Sequence, residues 1–136
     1  MNASLNVSDE PVPAPLPTVL VVEDEILVRM VIAAYLRDGG FDVVEAGNAD
    51  EAVRVLEASV RVDIVFSDVN MPGSLDGIGL AQWLRRERPG LEIILTSGAA
   101  QGVKDASDLC AHAPILAKPY DYVELVRQFR ALLTRA

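Results

Sequence analysis

The chain has 136 residues, 51% of them apolar, and a formal net charge of −8. That length and composition describe one domain with a core of its own, and they exclude a disordered acidic chain or a fibre. The negative charge lacks the basic footprint of a nucleic-acid binder and disfavours anionic membrane surfaces. The single cysteine, Cys110, excludes a disulfide framework and the usual structural zinc patterns, so a soluble, cytoplasmic protein is expected.

Residues 1–17 read as a disordered tail. Pro11, Pro13, Pro15 and Pro17 alternate, which favours an extended, solvated segment. The tail carries no Lys or Arg and does not read as a signal peptide. No apolar run in the chain approaches the ~20 residues of a membrane span. The folded domain is expected over residues 18–136.

From Thr18 the pattern changes to short runs rich in Val and Ile, at 19–22, 41–44, 62–66, 93–95 and 115–117. Such runs suit strands buried on both faces. Helical spacing separates them. Leu27, Met30, Val31 and Ala34 follow the i, i+3, i+4, i+7 rule and predict the inward face of a first helix. Gly39 and Gly40 stop it. Ala49, Ala52, Val53 and Leu56 predict a second helix, with Asn48 as its N-cap and Asp50 and Glu51 in its first turn. Gly77, Leu80, Ala81 and Leu84 predict a third, stopped by Pro89 and Gly90. The stretch 99–113 contains Gly102 and few large apolar residues, so a short, weakly anchored helix is expected there. Tyr122, Leu125, Val126, Phe129 and Leu133 predict the last helix, with Asp121 as its N-cap. Five strand–helix repeats mean an α/β fold, a five-stranded parallel sheet with helices on both faces.

In open parallel sheets, sites form at the carboxyl ends of the strands. Four of those ends carry chemistry: Glu23-Asp24-Glu25, Ser67-Asp68, Thr96-Ser97-Gly98 and Lys118-Pro119. Taken singly, each has an ordinary reading: capping carboxylates, a turn aspartate, a solvated lysine. Together they place three carboxylates at one edge, where they repel. Glu23, Asp24, Asp68 and Lys118 sum to −2, which a divalent cation neutralises. An all-oxygen donor set prefers a hard ion, Mg²⁺, with Asp24 and Asp68 suited to direct ligation, Glu23 to a water-mediated role and the Asn70 carbonyl to completing the sphere. A carboxylate held against Mg²⁺ and a lysine is a nucleophile arranged for phosphoryl transfer, with the Thr96 hydroxyl able to donate to the transferred group.

The motifs VLVVEDE at 19–25, DVNMPGSLDG at 68–77, LTSG at 95–98 and AKPY at 117–120 occur in an order and spacing that resemble bacterial response-regulator receiver domains. The resemblance covers residues 18–135 and implies the flavodoxin-like fold with strand order 2-1-3-4-5. It further implies that Asp68 is the phosphoacceptor. Glu23, Asp24, Asp68 and Asn70 would be the metal contacts, Thr96 the switch hydroxyl and Lys118 the phosphate-pairing lysine. A cis bond before Pro119 is also implied. The expected function is that of a single-domain response regulator in two-component signalling. It would take a phosphoryl group from a histidine kinase or phosphotransfer protein and switch its affinity for a partner protein. Such a protein is a phosphoacceptor that can hydrolyse its own acyl phosphate, rather than an enzyme. A phosphoryl relay or sink, and a receiver that never phosphorylates, are the alternatives within the family.

Three departures stand out. The acidic pair is Glu-Asp where Asp-Asp is also common. The loop 71–77 is one residue longer than the frequent form. Ile115 stands where many relatives carry an aromatic that turns inward on phosphorylation, so the readout is expected from Tyr120 and the segment 97–113. Two other classes fit poorly. A flavin-type phosphate cradle needs Gly, Ser and Thr where this chain has Glu23-Asp24-Glu25. An Asp-nucleophile phosphohydrolase would normally carry a second acid at the position of Asn70.

Overall fold

The computed structural model describes residues 15–98 and 115–134. The expectations for the tail before Pro15 and for the segment 99–113 lie outside the described residues. In chain order the elements are β1 (Thr18–Val22), α1 (Ile26–Asp38), β2 (Asp42–Ala46), α2 (Ala49–Glu57), β3 (Ile64–Asp68), α3 (Gly77–Glu87), β4 (Glu92–Ser97), β5 (Ile115–Ala117) and α4 (Tyr122–Leu133). The strands form one sheet in the order β2-β1-β3-β4-β5, and all four pairings are parallel. Among the described residues no helix is long and apolar enough to cross a membrane.

Alternation along the central strands divides the core into two layers. Val19, Val21, Ile64, Phe66 and Ile94 face α1 and α4, where Ile32, Leu36, Leu125 and Phe129 meet them. Leu20, Val22, Val65, Ile93 and Leu95 face α2 and α3, where Ala52, Leu56, Leu80 and Leu84 close the second layer. β1, β3 and β4 are buried along nearly their whole length, as continuous apolar runs predict. β2 and β5 are only partly buried because the topology puts them at the two edges.

Two strands start later than their apolar runs. Asp63 closes a pair of hydrogen bonds with Thr18 before β3 begins, its N–H donating to the Thr18 carbonyl while its carboxylate accepts the Thr18 N–H. Phe41 precedes β2 as a buried plug whose ring meets Phe129 edge-on at 5.8 Å.

The first helix turns the opposite way from its strongest apolar stripe. Leu27, Met30 and Val31 are exposed, Leu27 by 77%, and Ala34 is exposed as well. The inward positions are Ile32, Ala33 and Leu36. α1 is apolar on nearly every side, so several stripes satisfy helical spacing. The stripe that packs inward is 29, 32, 33, 36, and a charged residue, Arg29, holds its first position.

The remaining helices follow their sequence signals. Asn48 accepts from the Glu51 N–H and Asp121 from the Val123 N–H, as N-caps do. Asp76 caps α3 through the Gly79 N–H. Gly40 ends the α1 connection at φ 94°, in the left-handed region that glycine tolerates.

Gly77 opens α3 directly against the end of β3. A Cβ there would fall inside contact distance of the Asp68 carbonyl, on backbone that cannot yield. Gly77→Ala is therefore expected to destabilise the fold by about 3 kcal/mol in urea unfolding. Gly90→Ala, at a position with open space around it, is expected to stay within about 0.5 kcal/mol of the parent.

Candidate functional site

Parallel pairing delivers four strand ends to one edge. β1 ends into Glu23 and Asp24, β3 at Asp68, β4 at Thr96 and Ser97, and β5 leads into Lys118. Asp68 and Thr96 are direct neighbours in the β3–β4 register. The Val69 N–H donates to the Thr96 carbonyl at 2.9 Å, and the Lys118 N–H to the Ser97 carbonyl at 2.9 Å. These bonds carry the ladder past the strand ends and fix where the side chains leave the sheet.

One carboxylate oxygen each from Glu23, Asp24 and Asp68 can be chosen so that all lie within 4.8 Å of one another. Glu23 is 3% exposed and Asp68 8%, while Asp24 faces solvent. Lys118 Nζ reaches Asp68 Oδ2 at 2.9 Å, and the Asn70 N–H donates to Asp68 Oδ1 at 3.2 Å. The structure thus gathers Glu23, Asp24, Asp68, Thr96 and Lys118, with the Asn70 backbone folded over the Asp68 carboxylate. The Lys118–Pro119 bond is cis.

The acidic loop does little for the helix that follows it. Glu25 occupies the N-cap of α1 without a side-chain hydrogen bond, and α1 has no acid in its first turn. Capping is therefore not why three carboxylates meet here.

The electrostatics record the crowding. Burial pushes the Glu23 carboxyl above its ordinary pKa, and the nearby Asp68 charge adds to this; the Glu25 N–H, donating to Glu23 Oε2 at 3.0 Å, works in the other direction. For Lys118, burial opposes the charged form, but its hydrogen bond to Asp68 and the charges of Asp68, Glu23 and Glu25 outweigh it and raise the pKa. The Lys118 contribution to stability is complete below the ordinary lysine pKa and is lost as pH rises through the raised one.

The residues fit a divalent cation. The donors are all oxygen, the cluster keeps a surplus of negative charge over its one ammonium, and Asp24 leaves a solvent-facing side for water ligands. A second orphan accompanies the charge. Thr96 Oγ1 is buried and finds no hydrogen-bond partner among the described residues. A buried donor without an acceptor costs about 1–3 kcal/mol, so the site holds a hydroxyl ready for a group yet to arrive.

A family model described as response regulator receiver domain matches residues 19–130. The chain belongs to the response regulator receiver domain family. The transcriptional regulatory protein AruR of Pseudomonas aeruginosa is 35% identical over 127 residues, which are 90% of this chain and 51% of that regulator. The chain thus spans about half the length of that relative. A crystal structure of a response regulator receiver protein from Sinorhizobium medicae superposes with a TM-score of 0.80 at 27% identity, covering 88% of this chain and 96% of the other. The response regulator TrrA of Thermotoga maritima, solved in complex with Mg(2+)-BeF, matches with a TM-score of 0.76 at 26% identity over 86% of this chain and 99% of its own.

Within this receiver, the departures have local explanations. The longer loop 71–77 gains an anchor on α2, since Ser74 Oγ donates to the Asp50 carboxylate at 3.1 Å, and Gly73 turns at φ 117°. Ile115 is packed against the core rather than standing free. Tyr120 takes an aromatic place on the opposite face, edge-on to Phe66 at 5.8 Å and to Tyr122 at 5.7 Å. Burial, then Tyr122, Glu23 and Asp68, push its phenol pKa well up. Sequence reasoning missed Arg29, which reaches from α1 back to the acidic loop. Its signal was present as a charged residue in register with Ile32, Ala33 and Leu36.

Ionised Glu23 is a cost to the cation-free fold, because its folded pKa lies above its unfolded one. Glu23→Gln, assayed in EDTA, is expected to raise stability at pH 7 by about 1 kcal/mol. The gain should vanish as pH falls through the raised pKa into the ordinary carboxylate range, where Glu23 is protonated in the parent too. Urea unfolding at several pH values checks this, and a variant no more stable than the parent at pH 7 refutes it.

Proposed function

We propose that this receiver accepts a phosphoryl group on Asp68 from a phosphohistidine of a histidine kinase or phosphotransfer protein, and that the change in charge switches its affinity for a partner protein. The observation that carries the reading is the convergence of Asp68 with Lys118 and the Thr96 hydroxyl, which has no partner among the described residues, beside the Glu23–Asp24 pair.

In the reaction an Asp68 carboxylate oxygen attacks phosphorus in line. The bond from phosphorus to the donor imidazole nitrogen breaks, and its electron pair stays on that nitrogen. The product group carries a charge near −2 in place of −1. Lys118, free to leave Asp68 Oδ2, pairs with one phosphoryl oxygen, and the Thr96 hydroxyl donates to another. Glu23, Asp24, Asp68 and the Asn70 carbonyl would hold Mg²⁺, which when bound neutralises charge on the transferring oxygens. The protein's own part is to preset these groups on four strand ends, so that little reorganisation accompanies the transfer. It is a phosphoacceptor and not an enzyme with a turnover substrate.

Incubation with a small phosphoramidate and Mg²⁺ is expected to add one phosphoryl group by mass. Asp68→Asn should abolish the addition, and chelation of the cation should slow it strongly. Label recovered on another residue of the parent chain would overturn the assignment.

The same reading gives the exposed face of α1 a use. Leu27, Met30 and Val31 form an apolar stripe that begins two residues after Glu25, at the end of the acidic loop. A phosphohistidine must be brought to Asp68 from this edge, and an apolar helix of the donor protein fits the stripe. Leu27→Asp is expected to slow transfer from the cognate kinase about tenfold, equivalent to about 1.4 kcal/mol of docking energy. Its reaction with the small phosphoramidate should not change. Equal slowing with both donors would remove the stripe from the docking surface.

A further inference from the structure

Arg29 is the first member of the inward stripe of α1, where an apolar residue would ordinarily sit. Its guanidinium is mostly buried, and it spends its donors on two partners. Nη1 donates to the Glu23 carbonyl at 2.8 Å, and Nε donates to Glu45 Oε1 on β2 at 3.2 Å. Glu45 also receives Arg37 at 3.4 Å through its other oxygen, so its carboxylate is held from both sides. The side chains of this ion pair are 18% and 28% exposed, and a pair so close to solvent is a weak source of stability. The geometry is better explained by what the arginine holds.

It holds a peptide plane. The Glu23 carbonyl and the Asp24 N–H belong to one rigid amide, so fixing the carbonyl fixes the direction in which Asp24 leaves the chain. Glu23 has two further anchors, its N–H on the Ala46 carbonyl at 3.1 Å and its Oε2 on the Glu25 N–H. Asp24 faces solvent, and its side-chain hydrogen-bond partner is Glu23, the other end of the same peptide. Its aim depends on the plane that Arg29 locks.

We infer that Arg29 is a positioning residue for the cation-binding carboxylates: it orients the Glu23–Asp24 peptide, with Glu45 orienting its guanidinium. The inference rests on the proposed reading of Glu23, Asp24 and Asp68 as the Mg²⁺ site. Two-point contact needs a planar fork, which lysine cannot supply although it keeps the charge. Support of this kind around metal ligands is worth about 10–100-fold in affinity.

The test is a titration of the full chain with MgCl₂, followed by amide chemical shifts, for the parent, Arg29→Lys, Arg29→Gln and Glu45→Gln. Both Arg29 variants are expected to bind Mg²⁺ about tenfold more weakly, and Glu45→Gln about threefold more weakly, with urea midpoints recorded alongside. At saturating Mg²⁺ all three should reach the parent's extent of labelling by the small phosphoramidate, since only the loop's aim is lost. Arg29→Lys with affinity within twofold of the parent overturns the inference, because charge alone then suffices. Should Arg29→Gln fail to fold, Arg29→Lys and Glu45→Gln decide, and parent-like affinity in both refutes it. No saturable Mg²⁺ shift in the parent is a different outcome: it removes the cation site itself.

Discussion

Mutual repulsion among Glu23, Asp24 and Asp68 is the constraint around which this structure is arranged. Three carboxylates within 4.8 Å, two of them buried, would drive a small domain apart if their strands were free to move. They are not free. β1 and β3 are the central strands, paired to each other and flanked on both sides, so the apolar layers above and below bear the electrostatic strain. Lys118 offsets part of the charge and Arg29 stands behind the loop. The surplus that remains suits the edge to a divalent cation.

The topology makes this possible at small cost in chain. Residues 23, 68, 96 and 118 are far apart in sequence, yet each lies within one residue of the carboxyl end of a parallel strand. No loop has to be shaped to bring them together. The ladder bonds from Val69 to Thr96 and from Lys118 to Ser97 set spacing to hydrogen-bond tolerance. A site on rigid strand ends is more sharply defined than one assembled from loops.

Much of this was legible in the chain. The Val and Ile runs located all five strands because buried parallel strands have no polar alternation to obscure them. Asn48 and Asp121 read as caps because a cap is a local hydrogen bond, made within three residues. The site residues read from their places at strand ends, and the structure brings the expected side chains together. What sequence spacing could not decide was the rotation of α1. With Ile26, Leu27, Met30, Val31, Ile32, Ala33 and Leu36 on one short helix, more than one apolar face exists. The choice between them is made by partners distant in sequence: Ile32 and Leu36 pack into the layer with β1, β3 and the last helix, and the rotation that buries them places Arg29 toward Glu45 and leaves Leu27 outside. The loop 71–77 escaped for the same reason, since its anchor is Asp50 on another helix.

Gly77 gives the acceptor position a mechanical asymmetry. On that side the backbone of α3 touches the end of β3 with no side chain between them, and the Gly77 N–H is bonded to the Val69 carbonyl. That wall is incompressible. On the other side lie the Thr96 hydroxyl, without a hydrogen-bond partner among the described residues, and β5, three residues long and at the sheet's edge. Volume added at the Asp68 carboxylate would meet a rigid wall at α3 and less resistance toward the short edge strand β5, so the acceptor position is stiff on one side only.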